Sequence, residues 1–357
     1  MVVPTGIGAA IGGFGGDATC ELNLMAAVSD VLITHPNVAN AAGLQKLPAN
    51  AWYTEGYALD QFCRGEIGLL APQRHQRIGV ILDAGLPDDM RVLHLNTINA
   101  LQTVHGLDIV AVVTTAEPVA CNITLAEHGV SVGQVDNIST VLTAGQHLKA
   151  LGATAIAVCC LMPTHESQPE LAAAEAAYRQ GLGADPIGGI EAILSHALVA
   201  ELGLPCAHAP VFPLEIVAPE TETVLDPRCA AEFITPTFLP CVLMGLRQAP
   251  QLVSAVSPHP AAHKASAIGA LVVPIDALGA VPVLAAVEHH RTTGNGPAVI
   301  AVAENTTVLN VTAEALWGKT LPNNLYSAHT YFEAAGMITT LRQGLPVPFR
   351  KTPVPVI

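Results

Sequence analysis

The arrangement of apolar residues constrains this chain more than any other feature. Short runs rich in valine, isoleucine and alanine recur from end to end. They are MVVPT at the start, VLIT (31–34), IGVILDA (78–84), DIVAVVTT (108–115), AIAVCCL (155–161), CAHAPV (206–211), ALVVPI (270–275) and PAVIAVAE (297–304). Between several of them lie good helix formers: STVLTAGQHLKAL (139–151), PELAAAEAAYRQGL (169–182) and IEAILSHALVAELG (190–203). Strands that are apolar throughout and alternate with helices belong to parallel sheets covered on both faces. The pattern predicts an α/β protein with two Rossmann-like lobes, mostly parallel sheets and a cleft between the lobes. The stretch GLGADPIGG near residue 180 is the natural division. It gives an N-terminal lobe over 1–180, a C-terminal lobe over 181–340 and an extended Pro-rich tail over 341–357. A helix within YSAHTYFEAAGMITTLRQGL is expected to close the structure.

Composition narrows the function classes. At 357 residues the chain can bury a large core, and 51% hydrophobic with 12% charged residues argues against disorder. A net charge of −14 with no cluster of lysines and arginines disfavours nucleic acid and anionic membrane surfaces as partners. The apolar run LGATAIAVCCLMP (151–163) is shorter than the roughly 20 residues that span a bilayer. The glycine-rich opening lacks the basic flank of a signal peptide. These features predict a cytoplasmic protein with a small-molecule ligand, no nucleic-acid or membrane partner, and assembly as a homo-oligomer. The eight cysteines show no C-x-x-C spacing and read as reduced, mostly buried thiols.

In a parallel sheet the carboxyl ends of the strands line the ligand crevice, so residues just after the strands are the site candidates. Thr5 and Gly6 follow the first strand, His35 and Asn37 the second, and Glu304, Asn305 and Thr306 the last of the eight. The glycines of GIGAAIGGFGGDA, including Gly6, Gly8, Gly12 and Gly13, precede Asp17 and a helix. That context suits a cradle of backbone amides for a phosphate or carboxylate. The spacing departs from the dinucleotide fingerprint, and the second strand ends in His35 rather than an acid. A second glycine-led helix start follows Asp185, with Gly188, Gly189 and Glu191. His35 is the acid–base candidate, with Asp17 or Glu304 orienting it or holding a hydroxyl. His259 and His263 lie one helical turn apart but show no third ligand, so no metal site is expected, and no cofactor is named by the sequence.

The segments VVPTGIGAAIGGFGGDA, LITHPNVANAAGL, WYTEGYALDQF, PIGGIEAILSHALV, PCAHAP, TFLPCVLMGLRQAP and IAVAENTTVLNVT together resemble the DUF3326 family of cyanobacteria and plants across almost the whole chain. The resemblance implies no catalytic residues. Some members carry a lipid-A-disaccharide-synthase label, which implies a glycosyltransferase-like, two-lobed architecture. The expected function is therefore an enzyme acting on a small anionic metabolite, phosphorylated or nucleotide-linked. Glycosyltransferase-like group transfer is one form. A non-catalytic metabolite-binding protein, or a metal-free racemase, epimerase or hydrolase, are the alternatives.

Overall fold

A computed structural model describes residues 1–3, 18–39, 47–125, 131–163, 169–180, 182, 185–214, 224, 230, 237–307 and 309–348. The chain runs through β1 (Val2–Val3), α1 (Thr19–Ala27), β2 (Leu32–Thr34), β3 (Ala51–Tyr53) and α2 (Gly56–Cys63). It continues with β4 (Ile67–Leu70), β5 (Arg77–Leu82), α3 (Asp88–His105), β6 (Asp108–Thr114), β7 (Cys121–Leu125) and β8 (Ser131–Val135). Next come α4 (Ile138–Ala150), β9 (Ala155–Leu161), α5 (Pro169–Arg179), α6 (Gly188–Leu202) and β10 (Cys206–Val211). The last third holds α7 (Leu239–Leu246), β11 (Gln251–Ser254), β12 (Ala270–Pro274), α8 (Val281–Thr293), β13 (Ala298–Val302), α9 (Ala313–Trp317), β14 (Leu325–Ala328) and α10 (Tyr331–Arg342).

Two parallel sheets organise these elements, as the alternating pattern predicts. The larger has the order β14-β13-β12-β1-β2-β3 and the smaller β10-β9-β5-β6. Numbered along its own strands, the larger reads 3-2-1-4-5-6 from its β3 edge, the order of doubly wound nucleotide-binding sheets. The smaller sheet is inserted between its third and fourth strands. The division expected at residue 180 does not follow the sheets. β9 and β10 lie on either side of it and pair along their whole length, from Cys206 with Ile156 to Val211 with Leu161. β1, at the start of the chain, pairs with β12 through Val2 and Leu271. Local apolarity marks each strand, but it carries no information on which strand will be its neighbour.

Three apolar layers fill the space around the sheets. One face of the larger sheet, with Ile33, Trp52, Leu271 and Val299, is covered by Leu59 and Phe62 of α2 and Val283 of α8. Its other face, with Val3, Leu32, Tyr53 and Ile300, forms one core with the inner face of the smaller sheet (Ile78, Val80, Ala157, Ala209) through Leu239, Leu243 and Leu246 of α7. The outer face of the smaller sheet packs under α4 and α6, with Ile156 and Val158 against Val141, Leu194 and Leu198. Close approach needs glycine at Gly245, where a Cβ would lie 2.5 Å from the Tyr53 ring. At Gly133 a Cβ would lie 2.7 Å from the Ile190 backbone nitrogen, which seats the β7–β8 hairpin on the start of α6.

In the smaller sheet the order reverses between β5 and β9, and Asp83 at the end of β5 fills that point. Its buried carboxylate accepts from the backbone N–H groups of Gly85 (2.8 Å), Val119 (2.9 Å) and Leu161 (3.2 Å). Asp83→Ala leaves those three donors without their acceptor. At roughly 1–3 kcal/mol for each unmet buried group, with partial relief by water, it should lower stability by about 3–5 kcal/mol, measured by urea denaturation. Asp83→Asn, which keeps one oxygen, should lose less.

Candidate functional site

The larger sheet reverses its order between β1 and β12, the point at which sheets of this order hold their ligands, at the carboxyl ends of the strands. β1 delivers the chain to this point at Val3, and α1 takes it up again at Thr19. The glycine-rich stretch between them, with Thr5, Gly6, Gly8, Gly12, Gly13 and Asp17, lies outside the described residues. Moving from β1 toward the β3 edge, the next strand ends are His35 and then Thr54-Glu55. His35 is buried and opens the turn Pro36–Val38 that contains Asn37. Thr54 N–H donates to Thr34 O at 2.8 Å, so these two strand ends are immediate neighbours.

Glu304, Asn305 and Thr306 lie on the opposite side of the reversal. The ends of β13 and β2 are three inter-strand steps apart, about 14 Å. Glu304 Oε1 accepts from Tyr331 N–H at 2.6 Å, and Asn305 Nδ2 donates to the Tyr331 hydroxyl at 2.8 Å. These two side chains fasten the sheet to α10, and Glu304 is too distant to orient His35. Thr306 is exposed beside them. The helical turn expected to align His259 and His263 is instead an open turn. His259 Nδ1 accepts from Ala261 N–H there, and the His263 ring meets the edge of Trp52 at 4.9 Å.

A polar cluster that joins sequence candidates to residues outside them sits where α2 packs against α6. Glu55 ends β3 and caps α2, accepting from Ala58 N–H at 3.2 Å. Its Oε1 also lies 3.0 Å from His196 Nε2 and accepts from Ser195 Oγ at 3.2 Å. His208 projects from β10 beneath α6, with Nδ1 3.1 Å from Ser195 Oγ and Nε2 3.5 Å from Glu191 Oε2. Asp185 accepts from Ile187 N–H at 3.0 Å, just ahead of the first turn of α6, which carries Glu191. The sequence candidates Asp185, Gly188, Gly189 and Glu191 are thus gathered at the start of α6. That helix returns from β9 to β10, so its N-terminus lies at the carboxyl edge of the smaller sheet.

Burial dominates the electrostatics. It pushes the Asp185 carboxyl up to about 7, with the nearby Glu175 charge adding to the effect and the Ile187 N–H opposing it. It drives His208 down to about 3, reinforced by the His196 charge, so His208 is neutral at ordinary pH. Asp60, on α2 beside His196, is raised to about 6 by burial against the opposing attraction of His196 and Arg64. Its Oδ1 is buried and has no hydrogen-bond partner among the described residues. Tyr53 is raised by burial and by the neighbouring Cys241 and Glu191. Among the described residues no group of three or more histidine, cysteine or carboxylate side chains has the arrangement of a metal site.

With this geometry in view, relationships to known proteins can be placed on it. Residues 1–349 match the family described as a protein of unknown function, DUF3326. The chain belongs to the DUF3326 family. It is 37% identical over 346 residues to the uncharacterized lipoprotein syc1174_c of Synechococcus sp. (strain ATCC 27144 / PCC 6301 / SAUG 1402/1), covering 97% of this chain and 90% of that protein. The cytoplasmic location expected from the sequence is corrected by this match, because a lipoprotein is held at a membrane by its attached lipid. Among the described residues no helix is long and apolar enough to cross a membrane.

Ser195, Glu55 and Asp60 escaped the sequence reading, and His208 was visible only as an imidazole inside an otherwise apolar strand. That mismatch between residue and pattern was the available signal.

The raised Asp60 carboxyl fixes the sign of a pH effect. In the unfolded chain the group ionises near 3.8, and in the fold near 6. Both states are protonated below about pH 4, so Asp60 costs nothing there. Above about pH 6 the folded state bears a buried charge that the unfolded state bears in water. Asp60→Asn should therefore raise stability by about 3 kcal/mol at pH 8 and leave it nearly unchanged at about pH 3, in urea titrations at the two pH values.

Proposed function

We propose that this DUF3326 protein is an enzyme that performs acid–base chemistry on a small anionic metabolite, phosphorylated or nucleotide-linked, held at the carboxyl edges of its sheets. The observation that carries this reading is the joint at α2 and α6, where four carboxyls (Glu55, Asp60, Asp185, Glu191) surround His196 and His208. Removing that many titratable groups from water is expensive, and clusters with such displaced pKa values concentrate at catalytic sites. His196 is the solvent-facing member, 23% exposed, and the buried Glu55 at 3.0 Å orients its ring. It is the acid–base residue of this reading, and His35, one strand further toward the reversal point, lines the approach. A protonated Asp185 at the positive end of α6 is a donor suited to an anionic oxygen.

Glycosyltransferase-like group transfer is the second reading, favoured by the strand order of the larger sheet and by the glycine-rich stretch that leaves β1 at its reversal point.

The test incubates the purified protein with sugar nucleotides, other nucleotides and phosphorylated metabolites, following each by mass spectrometry and by thermal shift. At least one compound should both stabilise the protein and be converted. His196→Asn and Glu55→Gln should slow that conversion by about 100-fold or more while the stabilising shift persists. Binding with no conversion of any bound compound would replace the enzyme with a metabolite-binding protein.

A further inference from the structure

The contacts at the α2–α6 joint are not a loose collection of polar groups; they form one line. His196 Nε2, Glu55 Oε1, Ser195 Oγ, His208 and Glu191 follow one another at 3.0, 3.2, 3.1 and 3.5 Å, with Asp185 just ahead of Glu191 at the start of α6. Glu55, Ser195 and Glu191 are all buried, whereas the His196 imidazole reaches solvent. We infer that this line is a proton relay, carrying protons between solvent at His196 and the Asp185–Glu191 carboxyl pair at the start of α6. The inference rests on the acid–base reading above and deepens it. It makes Asp185–Glu191 the proton reservoir at the ligand end, with Ser195 and His208 as positioning residues that connect it to His196.

The protons balance along the line. Ser195 Oγ–H donates to Glu55, which leaves His208 Nδ1–H to donate to Ser195 Oγ and His208 Nε2 to take a proton from Glu191 Oε2, 3.5 Å away, when that carboxyl carries one. One concerted shift then moves Glu191's proton to His208 Nε2 and the His208 Nδ1 proton to Ser195. The Ser195 proton passes to the Glu55 carboxylate, which hands that same proton on to Nε2 of a neutral His196. Each relay atom gives one proton and receives one. The carboxyl pair loses a proton, His196 gains one and releases it to water, and no oxidant or reductant is involved. A neutral His208, as its lowered pKa provides, is what such a link requires. Other titratable or charged groups face the line from several sides: Asp60 and Arg64 from α2, Cys206 from β10, Tyr53 from β3, Cys241 from α7, and Glu175 beside Asp185.

Such a relay suits reactions in which a substrate proton is withdrawn and one is returned, as in isomerisation or epimerisation beside a carbonyl or carboxylate, or in hydrolysis. Reprotonation of the buried pair then does not wait for the site to open.

Hydrogen exchange of the His208 ring N–H, followed by 15N NMR on the full-length protein without ligand, tests the relay. Corrected for intrinsic rates, that proton should exchange at least 10-fold faster than the backbone amides of Ala207 and Ala209 on the same strand. Ser195→Ala and His196→Phe should each slow it at least 10-fold, and Ser195→Thr, which keeps the hydroxyl, should retain the fast rate. Exchange of the ring proton in step with the Ala207 and Ala209 amides in the unmodified protein would overturn the relay, whether or not the variants fold. So would fast exchange that survives both Ser195→Ala and His196→Phe. A protein that shows fast exchange but converts none of the panel metabolites would keep the relay and lose the enzymatic reading.

Discussion

The structure turns on one buried carboxylate. Glu55 stands at the end of β3, the edge strand of the larger sheet, and meets α6, which covers the smaller one. It caps α2 through Ala58 N–H, holds the His196 ring and accepts from Ser195. A carboxylate taken out of water without partners costs several kcal/mol, and these two donors, with the His196 ring beside them, offset that cost only in this register. The same interaction therefore starts a helix, locks two helices together and orients an imidazole. Tyr53, two residues earlier, fixes the strand from the other side by lying against Gly245 of α7.

Because the joint draws on β3, α2, α6 and β10, it exists only when both sheets are assembled. The smaller sheet enters the chain between β3 and β12, so the larger sheet must close around a long insertion. β1 makes this closure concrete. Its two residues lie between β2 and β12, with Ile33 N–H donating to Met1 O and the Met1 ammonium to Val31 O. A central strand formed from the first residues and completed by residues beyond 270 ties the start of the chain to its last third.

The sequence made the secondary structure legible and left the pairing hidden. AIAVCCL and CAHAPV coincide with β9 and β10, and 190–203 with most of α6, because strands apolar on both faces and helix-forming runs are local signals. β3 was invisible because it is only Ala-Trp-Tyr, and β14 because LYSA is half exposed and polar. The two-lobed α/β class followed from alternation, but the assignment of strands to lobes did not, since β1 and β12 carry no mark of one another. The site was legible to a similar depth. Asp185 and Glu191 were found through their glycine-led helix start, whereas Glu55 looked like any helix cap and Ser195 like any small residue in a helix. Their roles arise from neighbours more than a hundred residues away.

The placement of the acidic groups also bears on what the protein can bind. A chain of net charge −14 repels an anionic ligand at long range, and a site lined with ionised carboxylates would add to that repulsion. Burial reverses this locally: with its pKa raised to about 7, the Asp185 carboxyl ahead of α6 is a hydrogen-bond donor when protonated rather than a fixed negative charge. In the proposed reading, an acidic protein receives an anion where burial keeps a carboxyl from ionising. The packing around those carboxyls would then belong to the ligand site, and α6 would be where stability and chemistry make competing demands on the same residues.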